Sequence, residues 1–266
     1  MGSNSQKYKY IKVDKIDDTA TITLQRPKVL NALNKGILEE LLREIVILEK
    51  DNTIRFVIIT GAGEKAFCTG ADLKERSAFS DDQTKGFLDK LNSIANSIED
   101  SKKIYFASID GYVLGGGLEI ALACDFRLAT EKSQFALPEV TIGIIPGAGG
   151  TVRVVKACGF TNASKVLLTG EKIIATKAKE IGILHEALDS RGKLNEKIEE
   201  YLILLRKTAP LSVAKAKECM NNYFGKIRKD LLTKERENYN SLLDTEDRKE
   251  GLDAFKQKRE PNYKGK

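Results

Sequence analysis

With 266 residues, 41% of them hydrophobic and 31% charged, the chain is long enough for one or two domains and apolar enough to bury a sizeable core, which excludes intrinsic disorder and a small stapled scaffold. The net charge of +6 sits at the ends: Lys7, Lys9, Lys12 and Lys15 against Asp14 put residues 1–15 at +3, and Lys256, Lys258, Arg259, Lys264 and Lys266 against Glu260 put residues 256–266 at +4, so the long middle holds −1 and lacks the basic stripe of a nucleic-acid binder. Cys68, Cys124, Cys158 and Cys219 are 56, 34 and 61 residues apart, too far for zinc-gripping loops; no metal is expected, and the thiols read as reduced cysteines of a cytoplasmic protein.

Residues 1–5 have the composition of an expression remnant and are set apart from the fold. No charged segment leads into an apolar one at the start, and no apolar stretch nears the roughly 20 residues that cross a bilayer, so neither secretion nor a membrane anchor is expected. Residues 8–15 and 19–25 alternate apolar and polar side chains about Asp17 and Asp18, which predicts a β-hairpin. Ile37, Leu38, Leu41, Leu42, Ile45, Val46 and Leu48 then recur at three- and four-residue steps and predict an amphipathic helix of about 15 residues. Residues 55–60, 104–109 and 126–129 read as short buried strands, with a second amphipathic helix over 83–98. Alternating strands and helices argue for an α/β core over residues 6–194. Beyond it the pattern is helical only, with candidate helices at 195–207, 211–224, 228–243 and 248–258, a C-terminal region over 195–266 that covers the core or joins subunits.

His185 is the sole histidine, in a β-like run over 181–188 with no candidate nucleophile nearby in sequence, and it reads as a half-buried strand residue. Acid–base chemistry therefore falls to carboxylates, Lys, Tyr or Cys. Three segments are candidates. Phe67-Cys68-Thr69-Gly70-Ala71-Asp72-Leu73-Lys74-Glu75 follows a strand; its small residues leave backbone N–H groups open to a ligand, and a plain turn with Asp72 as helix cap explains it as well. Gly115-Gly116-Gly117 opens an apolar helical run, where unshielded N–H donors and the helix dipole suit a developing oxyanion; close helix packing is the other reading. It is no dinucleotide fingerprint, because Ile120 stands where Gly-x-Gly-x-x-Gly needs its third glycine. Glu139 follows Pro138 in an apolar run, where burial would raise its pKa unless it is exposed on a loop. With Glu119 it would give a histidine-free site two acids able to divide the work, one ionised and one protonated.

Together these segments, with Arg26-Pro27-Lys28-Val29-Leu30-Asn31-Ala32-Leu33 near the start and Ala254-Phe255-Lys256-Gln257-Lys258-Arg259 near the end, resemble the enoyl-CoA hydratase/isomerase (crotonase) superfamily over nearly the whole chain. The resemblance implies a spiral of ββα turns with a C-terminal helical trimerisation region, a homotrimer or a hexamer of two trimers, and an acyl-CoA substrate with no separate cofactor. It places an oxyanion hole on the N–H groups of Ala71 and Gly116, the catalytic acids on Glu119 and Glu139, and a water-orienting N–H on Gly147. It also implies CoA contacts from Lys28, Val29, Cys68, Gly70, Ala71, Asp72, Leu73 and Lys74, and contacts to the nucleotide end from Phe255 and Lys258. Both acids being present, the implied reaction is syn hydration of a 2-trans-enoyl-CoA to a 3-hydroxyacyl-CoA; an enoyl-CoA isomerase is an alternative. The segment around Cys68 and the C-terminal residues 258–265 look most like the methylglutaconyl-CoA hydratase branch, which includes an RNA-binding member. Here the corresponding helix sets Glu39, Glu40, Glu44 and Glu49 against Lys35, Arg43 and Lys50, so nucleic acid is not expected as a partner. An RNA- or partner-binding scaffold without turnover is the reading from another class.

Overall fold

The computed structural model describes residues 8–222 and 225–265. Strands β1 (Ile11–Ile16) and β2 (Thr19–Leu24) form the predicted antiparallel hairpin. β1 begins only at Ile11: the N–H groups of Lys9, Tyr10 and Ile11 turn to the Glu40 carboxylate, although the Tyr10 carbonyl still accepts the Gln25 N–H. A 3-10 turn (Pro27–Val29) leads to α1 (Lys35–Lys50), where Asn34 accepts the Ile37 N–H as a cap and the apolar stripe Ile37, Leu38, Leu41, Ile45 and Leu48 is buried.

Three turns of strand, strand and helix follow. The first is β3 (Phe56–Gly61), β4 (Ala66–Cys68), α2 (Leu73–Arg76) and α3 (Asp81–Glu99); the second is β5 (Ile104–Ile109), β6 (Tyr112–Leu114) and α4 (Gly116–Ala123). The third is β7 (Phe126–Thr130), β8 (Gln134–Ala136), a 3-10 turn (Pro138–Ile142) and α5 (Gly150–Thr169). In each turn the first strand joins one sheet and the second another. β9 (Ile173–Ile174), α6 (Ala175–Glu180) and β10 (Glu186–Leu188) complete a six-stranded sheet ordered β1-β2-β3-β5-β7-β10 and a four-stranded sheet ordered β4-β6-β8-β9. Apart from the hairpin and the β8–β9 pair, neighbouring strands run parallel, and β5 is buried along its whole length, as expected of a strand covered on both faces. The fold is thus the expected α/β spiral of ββα turns.

Four helices end the chain: α7 (Arg191–Arg206), α8 (Pro210–Asn222), α9 (Gly225–Ser241) and α10 (Glu246–Gln257). α7 begins earlier than the sequence pattern predicts, since the Ser190 hydroxyl accepts the Lys193 N–H; the boundary read near residue 195 falls inside it. The end of the second predicted helix, at residue 224, lies outside the described residues. Leu194, Ile198 and Leu202 of α7 pack on Phe56, Ile104, Phe106 and Leu128 of the larger sheet, and Tyr239 of α9 and Leu243 just beyond it pack with Leu88 and Ile144. These apolar stripes are therefore buried within the chain itself, while Ile203, Leu204, Leu211 and Met220 remain exposed. No described helix is long and apolar enough to cross a membrane.

His185 is half-buried just ahead of β10, so only the last three residues of the run over 181–188 are strand. Its Nδ1 accepts the Arg127 N–H at 3.1 Å and its ring lies 5.3 Å from that of Phe126. Burial, with the Arg127 charge beside it, pushes its pKa down to about 4, so it is neutral at pH 7.

Candidate active site

Glu119 stands on the first turn of α4, only 2% exposed. Its Oε1 accepts the N–H groups of Ala148 at 2.7 Å and Gly150 at 2.9 Å, in the loop that starts α5. Glu139 lies on the Pro138–Ile142 turn, and its Oε2 is buried without a hydrogen-bond partner among the described residues. An acceptor left in that state costs about 1–3 kcal/mol, so the carboxyl is built for something other than stability. Gly115, at φ +51°, is a position where a Cβ would lie 2.9 Å from Glu139 Oε1; a Cβ on Gly116 would lie 3.9 Å from Glu119 Oε2. The two acids therefore converge on the start of α4.

Burial raises the pKa of both. Glu119 is pushed up to about 7, the negative charge of Glu235 adding to the effect of burial and the two amide donors opposing it. Glu139 is pushed up to about 8 by burial and then by the charge of Glu119. Two acids so placed share protons near neutrality, which is the division of labour that acid–base chemistry without histidine needs.

Both acids line a cavity of about 90 Å³ whose walls include Phe87, Leu88, Leu91, Ile142 and Ile144. Gly70, Ala71, Gly116 and Gly147 also face it. Leu33 bridges Ala71 by donating to Gly70 O and accepting from the Asp72 N–H, a parallel pairing that leaves the Ala71 N–H directed elsewhere. The Gly116 N–H is the first of α4 and has no acceptor within the helix. A Cβ on Gly70 would lie 3.2 Å from Gly116 N, so the two segments approach closely enough for their donors to serve one oxygen.

The residues expected to cradle CoA fall in two groups. Lys28 and Val29, on the Pro27–Val29 turn, are joined to Cys68, Gly70, Ala71, Asp72, Leu73 and Lys74 by the Leu33 bridge, by a Thr69 N–H donated to Leu30 O and by an Arg26–Asp72 ion pair at 2.9 Å. Asp72 caps α2, accepting the N–H groups of Lys74 and Glu75. Cys68 is fully buried and its thiol is pushed up to about 12 by desolvation, so only its backbone can face a ligand. Phe255, which is exposed, and Lys258 stand at the end of α10, which packs on the Glu139 turn; among the described residues no hydrogen bond or ion pair joins them to the first group.

Sequence reasoning missed Glu235 of α9, 5% exposed, which accepts the N–H groups of Gly149 at 2.6 Å and Thr151 at 2.9 Å and the Thr151 hydroxyl. It also missed Arg153, which donates to Ala148 O and pairs with Glu99 at 2.8 Å, and the Arg76 guanidinium with its Tyr239 hydroxyl partner in the cavity wall. The available signal was spacing: Leu232, Glu235 and Tyr239 share one face of α9, so Glu235 occupies a position where a core residue belongs. Among the described residues no cluster of three or more His, Cys, Asp or Glu could hold a metal.

A spiral of ββα turns that brings two buried acids to one apolar cavity is an arrangement suited to acid–base chemistry without histidine, and comparison with known proteins gives it a family. The Enoyl-CoA hydratase/isomerase family model matches residues 15–266. YngF of Bacillus subtilis, provisionally named an enoyl-CoA hydratase/isomerase, is 41% identical over 251 residues, covering 94% of this chain and 96% of its own. The mitochondrial enoyl-CoA hydratase of Pongo abelii is 36% identical over 267 residues, covering 98% of this chain and 90% of its own. The crystal structure of an enoyl-CoA hydratase from Bacillus anthracis has a TM-score of 0.79 and 38% identity over 97% of this chain and 100% of that one. The chain belongs to the enoyl-CoA hydratase/isomerase family, an enzyme family of acyl-CoA thioesters.

Proposed function

We propose that the protein is an enoyl-CoA hydratase that adds water reversibly, in syn fashion, across the double bond of a 2-trans-enoyl-CoA. The observation that carries this reading is the pair of acids, Glu119 and Glu139, on one apolar cavity with both pKa values raised by burial. Glu119, ionised, takes a proton from water as the water oxygen bonds to C3. The π electrons move through C2 onto the thioester oxygen, where the N–H groups of Ala71 and Gly116 stabilise the enolate. Glu139, protonated, gives its proton to C2, and proton exchange between the acids resets the site. The Gly147 N–H orients the water. Lys28, Val29 and the segment from Cys68 to Lys74 hold the CoA moiety, and Phe255 and Lys258 reach its nucleotide end across a trimer or a hexamer of two trimers. The chemistry draws on no cofactor besides the CoA of the substrate.

Hydration of crotonyl-CoA, followed by loss of the conjugated thioester absorbance, tests the proposal. A panel with a 3-enoyl-CoA and a carboxylated 2-enoyl-CoA separates hydration from double-bond migration and from the methylglutaconyl-CoA reaction. Absence of turnover across the panel, with CoA binding intact, would instead favour a binding scaffold.

A further inference from the structure

Four consecutive amides at the start of α5 alternate between two carboxylates. Ala148 and Gly150 donate to Glu119, while Gly149 and Thr151 donate to Glu235, with the Thr151 hydroxyl added on the Glu235 side. Arg153 holds the opposite face of the same loop through Ala148 O at 2.8 Å. Neither carboxylate can release its pair of donors without disturbing the other pair, because the donors interleave along one backbone.

We propose that Glu235 is a positioning residue of the hydration site, fixing the loop so that Glu119 is held by Oε1 and presents Oε2 to the water and substrate. The proposal rests on the hydratase reading for its kinetic consequences, not for its geometry. Oxygen Oε1 of Glu119 is occupied by two amides, which leaves Oε2 for chemistry, and Glu235 accepts the hydrogen bonds of the two alternating N–H groups, those of Gly149 and Thr151.

Glu235 also sets the charge that Glu119 feels. The charged groups facing Glu119 are Glu235 from α9, Glu139 from the Pro138–Ile142 turn and Arg153 from α5. Arg153 is itself shared with Glu99 of α3, on which Lys156 of α5 and Arg228 of α9 also converge. Arg76 of α2 acts on Glu139 from across the cavity. Carboxylates thus outnumber the one cation directly available to Glu119, and Glu235 contributes to keeping its proton affinity high.

Glu235→Gln should lower kcat for crotonyl-CoA hydration by about tenfold to a hundredfold with little change in KM, the scale of a slightly misplaced catalytic group. It should also move the acid limb of the pH profile of kcat/KM down by about one unit, because a like charge has gone. Glu235→Asp keeps the charge, so kcat should fall while that limb stays. A loss of kcat in Glu235→Gln that follows melting temperature alone, with the acid limb unmoved, overturns the proposal. Failure of the wild type to hydrate any enoyl-CoA sinks the hydratase reading instead, and the positioning role is then read by carbon-13 NMR titration of the glutamate carboxyls, Glu119→Gln assigning the resonance. The Glu119 midpoint should drop by about one unit in Glu235→Gln; an unchanged midpoint rejects the role. Should Glu235→Gln not fold, Glu235→Asp decides: kcat should fall with the acid limb of the profile in place, and an unchanged kcat overturns the proposal.

Discussion

Glu119 and Glu139 are both buried, yet they are held differently, and the difference fits their proposed roles. Two amides steady the charged form of Glu119, whereas Glu139 keeps one oxygen with no partner among the described residues. Replacing either with glutamine should lower kcat by about a hundredfold or more and leave CoA affinity largely intact, checked by steady-state kinetics beside CoA titration. Both acids have folded pKa values above the ordinary 4.5, so between about pH 4.5 and 8 these two groups bind more protons in the folded protein than in the unfolded chain. Their contribution to stability is complete at the acid end of that window and is lost as pH rises through it. Glu139→Gln, which cannot ionise, should therefore gain in melting temperature relative to wild type as pH is raised from about 5 to 9; calorimetry across that range checks the sign. His185→Gln should retain most of kcat, since the ring serves the Arg127 backbone and the Phe126 packing, and a dead but folded variant would require another mechanism. The proposed catalytic pair was legible because glycines precede one acid and a proline the other, in segments that carry the family resemblance. Glu235 was not: it sits between Lys234 and Arg236 in a helix whose many charges mask its one buried carboxylate.

At the scale of elements, α2 is a four-residue helix that owes its position to one side chain. Asp72 accepts from Lys74 and Glu75 and pairs with Arg26, tying the turn after β4 to the segment before α1. Asp72→Ala should cost about 1 kcal/mol of stability, the usual worth of a cap. Because the adjacent Ala71 donor then loses its fixed direction, kcat/KM should fall further than that stability loss accounts for; comparing chemical denaturation with kinetics separates the two. Of the two readings of this motif, the structure shows the cap in the Asp72 side chain, and the Ala71 segment beside it faces the cavity. Strands β3, β5 and β7 were readable as apolar runs. The three-residue strands β4, β6 and β8 were not, since so short a segment carries no period, and membership of the second sheet depends on pairing between segments far apart in sequence.

In the whole molecule the C-terminal region packs against the turn that bears Glu139 and lines the candidate site through Tyr239. A Cβ on Gly251 of α10 would lie 2.6 Å from Ile142 C, and the Tyr263 hydroxyl donates to Thr141 O at 2.7 Å, so the end of the chain braces the turn that bears Glu139. Removing residues 248–266 should lower kcat as well as CoA affinity and oligomer assembly. Light scattering, CoA titration and turnover measured on one truncated sample check all three, and unchanged turnover would show that the turn keeps its shape alone. The sequence pattern showed the helices and left open whether they cover the core or join subunits; a periodic stripe states that a face must be covered, not by what.

The interleaved amides also bear on how the enzyme comes into being. The donors at 148–151 meet one carboxylate 29–31 residues earlier in the chain and another 84–86 residues later. The first contact can close within the spiral as it forms, whereas the second waits for α9 to dock across a much longer loop, and closing long loops is the slow step of assembling such topologies. On dilution from denaturant, secondary structure followed by circular dichroism should return before turnover does, the interval between them marking the docking of a helix that carries no substrate-contacting acid of its own.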